Sequence, residues 1–238
     1  MAHPSSAPVF GKSRYGARWL LVLVGGLAWL SMGCNPQTLS FLAMPFTDNK
    51  KDPDYKLFAS DKEITLVVLS NFAQPQIHPE IMPADTQLAE EVSQALRTRC
   101  EYNKHKLKLV PQAQVRSYQL RQISEGELSR VDVGKKFKAD YVLDMQIQKF
   151  GLYEPNSWPK MFRGTAHIRV ELVKVSAKDD EHVVFSKYYD SEYPRTTGPI
   201  DAGNGNTAQF RRLFLSKVGQ HISRMFVSYP PEEEKQLD

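Results

Sequence analysis

Cysteine is scarce in this chain, which has only Cys34 and Cys100 among its 238 residues. Two cysteines cannot form the dense disulfide framework that small secreted domains use in place of a large core. If Cys34 carries a lipid, Cys100 has no partner for a disulfide within the chain. We therefore predict that Cys100 is a half-buried structural thiol, with an intermolecular disulfide or a reactive thiol as the alternative.

Sequence motifs for catalysis and for metal binding are also missing. The chain has no GxSxG nucleophile elbow, no phosphate-binding P-loop and no GxGxxG dinucleotide motif. Its six histidines form no HxH or HxxxH pair, the close spacing that would favour a shared metal ion. We therefore predict no catalytic residue, no metal ligand and no cofactor.

An enzyme is the least favoured of the functions that we consider, and four side chains are the reason for keeping it. Asp140 and Asp144 are expected on the same face of one strand, and His167 and His182 could face each other across a hairpin. Such groups on a wet sheet face usually contact only water. A deep polar pocket that contained several of the four would favour an enzyme.

A large excess of charge of either sign is absent from most of the chain. The sequence has 31 Lys and Arg against 27 Asp and Glu, a formal charge of +4. Lys12, Arg14 and Arg18 lie in the first 33 residues, which contain no acid, so the remainder has 28 basic and 27 acidic residues. The basic character comes mostly from this leader, and we predict no nucleic-acid partner.

Residues 1–33 have the composition of an export signal. The three cations precede an apolar run from Trp19 to Met32, which Gly25 and Gly26 interrupt. This run is shorter than the ~20 residues that span a bilayer. A basic region, a short apolar core and small residues before the cleavage point are typical of a secretory leader.

Cys34, directly after this segment, is the predicted site of lipid attachment. The stretch from Leu30 to Cys34 resembles the lipobox of bacterial lipoproteins. A cysteine thiolate can form a stable thioether to a lipid, and each buried methylene contributes about 0.8 kcal/mol to membrane binding. An aspartate directly after the cysteine would resemble an inner-membrane retention signal. This position holds Asn35 instead, which favours the outer membrane. An uncleaved amino-terminal anchor and plain secretion are the alternatives.

The chain that follows divides into a flexible tether at 34–61, a globular α/β domain at 62–228 and a disordered acidic tail at 229–238. The apolar run from Ile64 to Leu69 predicts a central strand that is covered on both faces. Further along the chain, segments in which apolar and polar residues alternate predict the strands of an antiparallel meander. The predicted order is β-α-β-α-β-β-β-α, an α/β (α+β) fold with a single mixed sheet of about five strands and helices packed on it.

A predicted loop from Phe150 to Phe162 carries the candidate contact residues. These are Tyr153, Trp158, Met161 and Phe162, and Pro155 and Pro159 interrupt the segment. Aromatic side chains on a surface loop often anchor a protein interface. The alternative is that they fold back and cover one end of the sheet.

Two segments resemble those of known envelope lipoproteins. ITLVVLSNFA begins the domain at Ile64, and FKADYVLDMQI carries the Ala139-Asp140-Tyr141 element. Together they resemble the pattern in penicillin-binding-protein activator lipoproteins, the curli secretion-channel lipoprotein and the amino-terminal domain of the Tol translocation protein. The resemblance covers about 62–228 and implies a binding or assembly module of the cell envelope rather than an enzyme.

We therefore expect a lipid-anchored module, with its body in the periplasm, that binds membrane lipid through acylated Cys34 and binds another envelope protein. A subunit of an oligomeric secretion or transport assembly is the alternative.

Overall fold

One mixed sheet organises the protein. A computed structural model describes residues 50–123, 129–175, 182–203 and 205–233. The elements in chain order are β1 (Ile64–Phe72), α1 (Ala84–Tyr102), β2 (Leu107–Leu109), α2 (Gln112–Ile123), α3 (Arg130–Lys136), β3 (Tyr141–Tyr153), β4 (Met161–Lys174), β5 (His182–Tyr193), β6 (Ile200–Asp201) and α4 (Thr207–Arg224).

The sheet combines a parallel half with an antiparallel half. Its strand order is β2-β1-β3-β4-β5, and the short β6 pairs with the beginning of β4. Strand β1 is parallel to both β2 and β3, whereas β3, β4 and β5 form an antiparallel meander. The predicted class, α/β with a mixed sheet of about five strands, is confirmed. The predicted order lacks the two-residue β6 and has one helix between β2 and β3, where the structure has two, α2 and α3.

Strand β1 is buried on both faces, as its apolar run predicts. Leu66 and Val68 face one core layer together with α1 and α4. Val67 and Leu69 face a second layer, where α2 contributes Val115 and α3 contributes valines. Alternate residues of a strand point to opposite faces, so a continuous apolar run requires helices on both sides.

Helices α1 and α4 run in the same direction across one face of the sheet. Near their starts, Arg211 Nε donates a hydrogen bond to Gln87 Oε1 at 2.7 Å. Near their ends, Arg99 Nε donates one to Ser223 Oγ at 2.8 Å. Gly219 lets the two backbones approach between these points, because a Cβ there would lie 2.9 Å from the carbonyl carbon of Glu91.

The predicted loop from Phe150 to Phe162 is mostly strand, so this part of the prediction is wrong. Strand β3 extends to Tyr153 and β4 begins at Met161, which leaves only 154–160 as the connection. Both prolines of the segment lie in this connection. Proline lacks the N–H that a central strand needs, so it interrupts pairing there and not in the flanking residues.

Residues 50–61, which the sequence assigns to the tether, contact the body in the structure. Lys51 and Tyr229 form an isolated antiparallel bridge, and the Tyr55 N–H donates to the Met225 carbonyl at 2.8 Å. Leu57 is buried in the main core. Proline and charged residues around them suggested a linker, but the apolar side chains between these residues reach the core.

The beginning of the predicted disordered tail, 229–233, also contacts the body. Glu233 Oε2 accepts a hydrogen bond from Arg99 Nη2 at 2.6 Å. Arg99 is buried, and a buried cation needs an anion beside it. Glu233, one of the acidic residues that suggested disorder, thus supplies a counter-charge to the helix layer.

The predicted signal peptide, Cys34 and the first part of the tether lie outside the described residues. Among the residues that the structure describes, no helix is both long and apolar enough to cross a bilayer.

The close approach at Gly219 gives a test of the fold. We expect Gly219→Ala to lower the free energy of unfolding by about 1–3 kcal/mol, because backbone atoms of α1 cannot move aside as a flexible side chain can. Urea denaturation followed by circular dichroism measures this. Gly198→Ala is the control, since a Cβ there meets nothing within 4 Å. Equal stability of both variants would contradict the packing.

Candidate functional site

The candidate site is the end of the β3–β4 hairpin, formed by Tyr153, Trp158, Met161 and Phe162, and is called the hairpin end below. The Glu154 N–H donates to the Met161 carbonyl at 3.0 Å and thereby closes the turn. Ser157 Oγ donates to the Glu154 carbonyl at 2.8 Å. These bonds hold the connection in one shape, with a cis peptide bond between Trp158 and Pro159.

Stacked rings join the hairpin end to helix α4. Tyr153 and Phe162 stack with ring centroids 5.3 Å apart, and Phe162 in turn stacks on Phe210 of α4 at 4.6 Å. The Tyr153 hydroxyl hydrogen-bonds to Thr207 Oγ1 at 2.9 Å, at the first residue of α4. Asn206 caps this helix by accepting from the Ala208 N–H at 2.9 Å. The rings are therefore fixed by a helix start and not by a loose loop.

Trp158 is the exposed member of the set. Its side chain is 66% exposed, and its ring lies edge-on to Tyr153 with centroids 6.4 Å apart. Its Nε1 donates to Glu80 Oε1 at 3.2 Å, on the segment between β1 and α1. Arg211 donates to the carbonyl of the same Glu80. The indole is thus held in place while much of its surface contacts solvent.

The four candidate residues differ in what they can contact. Phe162 is 2% exposed and belongs to the core, so it can support a contact surface but cannot touch a partner. Tyr153 and Met161 are half-buried. Both interpretations of the aromatic segment therefore apply to different residues: Phe162 covers the end of the sheet, and Trp158 faces outward.

Sequence reasoning missed three exposed apolar residues: one pairs with the hairpin, and two lie on the segment whose Glu80 contacts it. Ile77 and Met82, on the same segment as Glu80, are 84% and 54% exposed. Ile200 of β6, the pairing partner of Phe162, is also exposed. The sequence contains no signal that this segment meets the hairpin.

A shallow groove of about 610 Å³ lies beside the hairpin end. One wall is the hairpin itself, with Tyr153 at the end of β3 and Met161 at the start of β4. The other wall is the segment before α4, with Ala202 and Gly205. The groove is open and mixed in polarity, which suits an extended polypeptide better than an enclosed small molecule.

The four groups that would favour an enzyme are not brought together. Asp140 Oδ2 accepts from the Thr65 N–H at 2.8 Å, so this carboxylate joins β3 to β1. Asp144 pairs with Arg130 at 3.3 Å. His167 and His182 do not face each other, because His167 pairs with Asp190 and His182 pairs with Lys174 in the hairpin register.

The polar face of the meander is an ion-pair network around buried Glu171. Burial raises the pKa of the Glu171 carboxyl, but hydrogen bonds from Arg130 and Ser186 and the charges of Arg130 and Arg169 outweigh this effect, so the pKa lies below its usual value. A carboxylate held ionised by two arginines is a poor proton carrier near neutral pH. This network therefore has the properties of a structural feature.

His167 and Cys100 do not suggest a reactive centre. His167 Nδ1 lies 2.6 Å from Asp190 Oδ1, and its ring stacks on exposed Tyr188 on the open sheet face. Burial raises the pKa of the Cys100 thiol to about 12, so the nucleophilic thiolate is scarce. Within the described ranges, no group of three His, Cys, Asp or Glu side chains could hold a metal ion.

Comparisons with known proteins give similarity of fold alone. No protein-family model and no curated protein matches the chain. The hypothetical protein CT253 from Chlamydia trachomatis is 13% identical with a TM-score of 0.41, over 68% of this chain and 96% of that one. Lipoprotein GNA1162 from Neisseria meningitidis is 13% identical with a TM-score of 0.39, over 67% and 98%. The LpoB C-terminal domain from Salmonella enterica is 17% identical with a TM-score of 0.33, over 56% and 86%.

These solved structures include lipoproteins, the group of proteins that the sequence pattern resembles. At such TM-scores the similarity concerns only the general arrangement of the backbone, and it carries no argument about function.

The different burial of two aromatic residues can be tested directly. We expect Phe162→Ala to lower the free energy of unfolding by about 3–5 kcal/mol, because it leaves a cavity beside Phe210. Trp158→Ala should change this quantity by no more than about 0.5–1 kcal/mol, since the indole is largely exposed. Thermal and urea unfolding of both variants measures the difference. A large loss of stability for Trp158→Ala would show that its role is packing.

Proposed function

We propose that this protein is a bacterial cell-envelope lipoprotein, held on a membrane by acyl chains on Cys34, whose body is a non-catalytic binding module for another envelope protein. The hairpin end is the proposed contact surface. The observation that carries this proposal is Trp158, an exposed indole held by Glu80 and Tyr153 at the end of a rigid hairpin. Rigid exposed aromatic residues are enriched among the residues that dominate interface energies.

The direction of the strands supports this use of the hairpin end. Strand β3 has 13 residues, so its two ends lie about 40 Å apart at ~3.3 Å per residue. Lys50, which continues from the membrane-anchored segment, lies over the ring of Tyr102 at the end of α1. The hairpin end lies beside the start of α1 instead. A partner at the hairpin end would therefore not compete with the anchoring bilayer for the same surface.

The proposed membrane is the outer membrane, with the body in the periplasm, because Asn35 follows the acylated cysteine. The four side chains that would favour an enzyme do not lie together as an acid–base site. This favours a binding module over an enzyme. No nucleic acid is proposed as a partner, since basic and acidic residues nearly balance after the leader.

A subunit of an oligomeric secretion or transport assembly is the second candidate. One observation favours it: β5, with 12 residues, lies at an edge of the sheet in the described part of the chain. An edge strand can pair with a strand of another subunit. Size-exclusion chromatography with light scattering in detergent distinguishes the two, because an oligomer of fixed size supports the assembly and a monomer supports the binding module.

Lipid attachment predicts the form of the mature protein. Mass spectrometry of protein purified from membranes should find an amino-terminal peptide that begins at Cys34 and carries acyl chains. We expect Cys34→Ala to leave the leader uncleaved or to abolish the lipid, and Cys100→Ala to change neither, since that thiol is buried. A mature amino terminus at any other residue would contradict the anchor.

Contact through the hairpin end predicts a site-specific crosslink. A photoreactive phenylalanine analogue at position 158 should form one adduct of defined mass in intact cells, and an analogue at position 77 should form the same adduct. Leu120 of α2 is the matched control, because it is 58% exposed and lies in the layer on the other side of the sheet. Equal adducts at 120 and 158, or none at 158, would argue against this surface.

A further inference from the structure

The parallel half of the sheet gathers lysines at one edge. Lys62 precedes β1, Lys106 precedes β2 and Lys138 precedes β3. Parallel strands begin at the same edge of a sheet, and the register confirms this closeness: the Ile64 N–H donates to the Lys106 carbonyl at 3.0 Å, and the Asp140 N–H donates to the Thr65 carbonyl at 2.8 Å. Three segments far apart in sequence thus place cations side by side.

Further lysines extend this surface, which is called the lysine edge below. All its members have exposed side chains, and they come from the strand starts, from β2 and from the end of α3: Lys62, Lys104, Lys106, Lys108, Lys136 and Lys138.

Acidic residues near the lysine edge are fewer. Asp61, Glu63 and Glu101 lie close in sequence to these lysines. Asp140 is the fourth acid, and its carboxylate is engaged by the Thr65 N–H at 2.8 Å and by Lys62 at 3.9 Å. Exposed Asp132 lies one helical turn before Lys136. Among the described residues, the six lysines still outnumber these acids, although the chain after the leader is nearly neutral.

The chain from the predicted anchor joins the body beside this edge. Lys50 Nζ lies 5.3 Å from the centre of the Tyr102 ring, and Tyr102 is 62% exposed just before Lys104. Phe58 stacks on His105 at 4.6 Å, which fixes the incoming segment against the residues between α1 and β2. Residues 35–49 separate Cys34 from Lys50, and this connection spans at most about 58 Å when fully extended. With a connection of this length, the body can contact the bilayer that holds the lipid.

We propose that the lysine edge binds the anionic surface of the phospholipid bilayer and so orients the body with the hairpin end pointing away from the membrane. Each lysine near an anionic bilayer gains about fivefold in partitioning, and the attraction decays within a Debye length of about 8–10 Å at physiological salt. Exposed Tyr102 lies among these lysines, and tyrosine is enriched at the level of lipid headgroups. This inference rests on the proposed anchor at Cys34.

The test uses the full-length lipidated protein in vesicles that contain a headgroup-level fluorescence quencher. A fluorophore on Ser60→Cys reports the lysine edge, because Ser60 is exposed and adjacent to Lys62, and a fluorophore on Lys160→Cys reports the hairpin end. Buried Cys100 does not compete for the label. Vesicles contain phosphatidylcholine alone or phosphatidylcholine with phosphatidylglycerol.

We expect quenching at position 60 to be at least about twofold stronger with phosphatidylglycerol and to fall to the phosphatidylcholine level at ~0.5 M salt. Position 160 should show little quenching on either vesicle. The combined change Lys62→Glu, Lys106→Glu and Lys136→Glu should abolish the phosphatidylglycerol effect. The matched control, Lys149→Glu, Lys160→Glu and Arg212→Glu with the label at 60, changes the same net charge and should retain it.

The outcomes separate the orientation from the anchor. Protein that floats with vesicles but shows equal quenching at 60 and 160, or no dependence on phosphatidylglycerol, overturns the orientation and leaves the anchor intact. Protein that does not float with phosphatidylcholine vesicles overturns the anchor itself. If soluble polyphosphate removes the quenching while vesicles of higher phosphatidylglycerol content do not restore it, the lysine edge is a site for a soluble polyanion and the membrane proposal is wrong.

Discussion

Strand β3 pairs with β1 along its first half and with β4 along nearly its whole length, and the rest of the structure depends on this shared pairing. Its parallel neighbour requires a crossover connection, which brings helices to the sheet. Its antiparallel neighbour requires only the short connection at 154–160. One strand thus separates two kinds of surface: the lysine edge where it begins and the hairpin end where it finishes.

The helix layer of α1 and α4 holds the hairpin end and the carboxyl-terminal segment. At the hairpin end, Phe210 and Thr207 of α4 hold the aromatic rings. At the other end of the same layer, buried Arg99 binds Ser223 and Glu233 and fixes the carboxyl-terminal segment. A buried guanidinium costs desolvation, so these hydrogen bonds are needed to keep the helix ends closed. These contacts hold the hairpin end and the carboxyl-terminal segment in fixed positions on the same helix layer.

A binding module that stands on a membrane needs two surfaces of different chemistry. Lysines attract an anionic surface through their charge. This attraction acts beyond contact distance and is weakened by salt, which suits loose attachment to a lipid surface. An immobilised indole acts through buried apolar area at short range, which suits a specific protein contact. The polar face around Glu171 has neither property, because its charges neutralise one another within the sheet.

The amino-acid sequence by itself determined the class of the fold. A continuous apolar run at Ile64–Leu69 requires cover on both faces, and alternation in β3 and β4 requires one wet face, because a strand's side chains alternate at every residue. The lipobox, equally local, predicts Cys34 as the anchor. Only the tertiary structure decided which aromatic residue is exposed, that residues 50–61 contact the body and that scattered lysines form one edge. These features depend on pairing between residues distant in sequence, and no local pattern encodes which neighbour a side chain will meet.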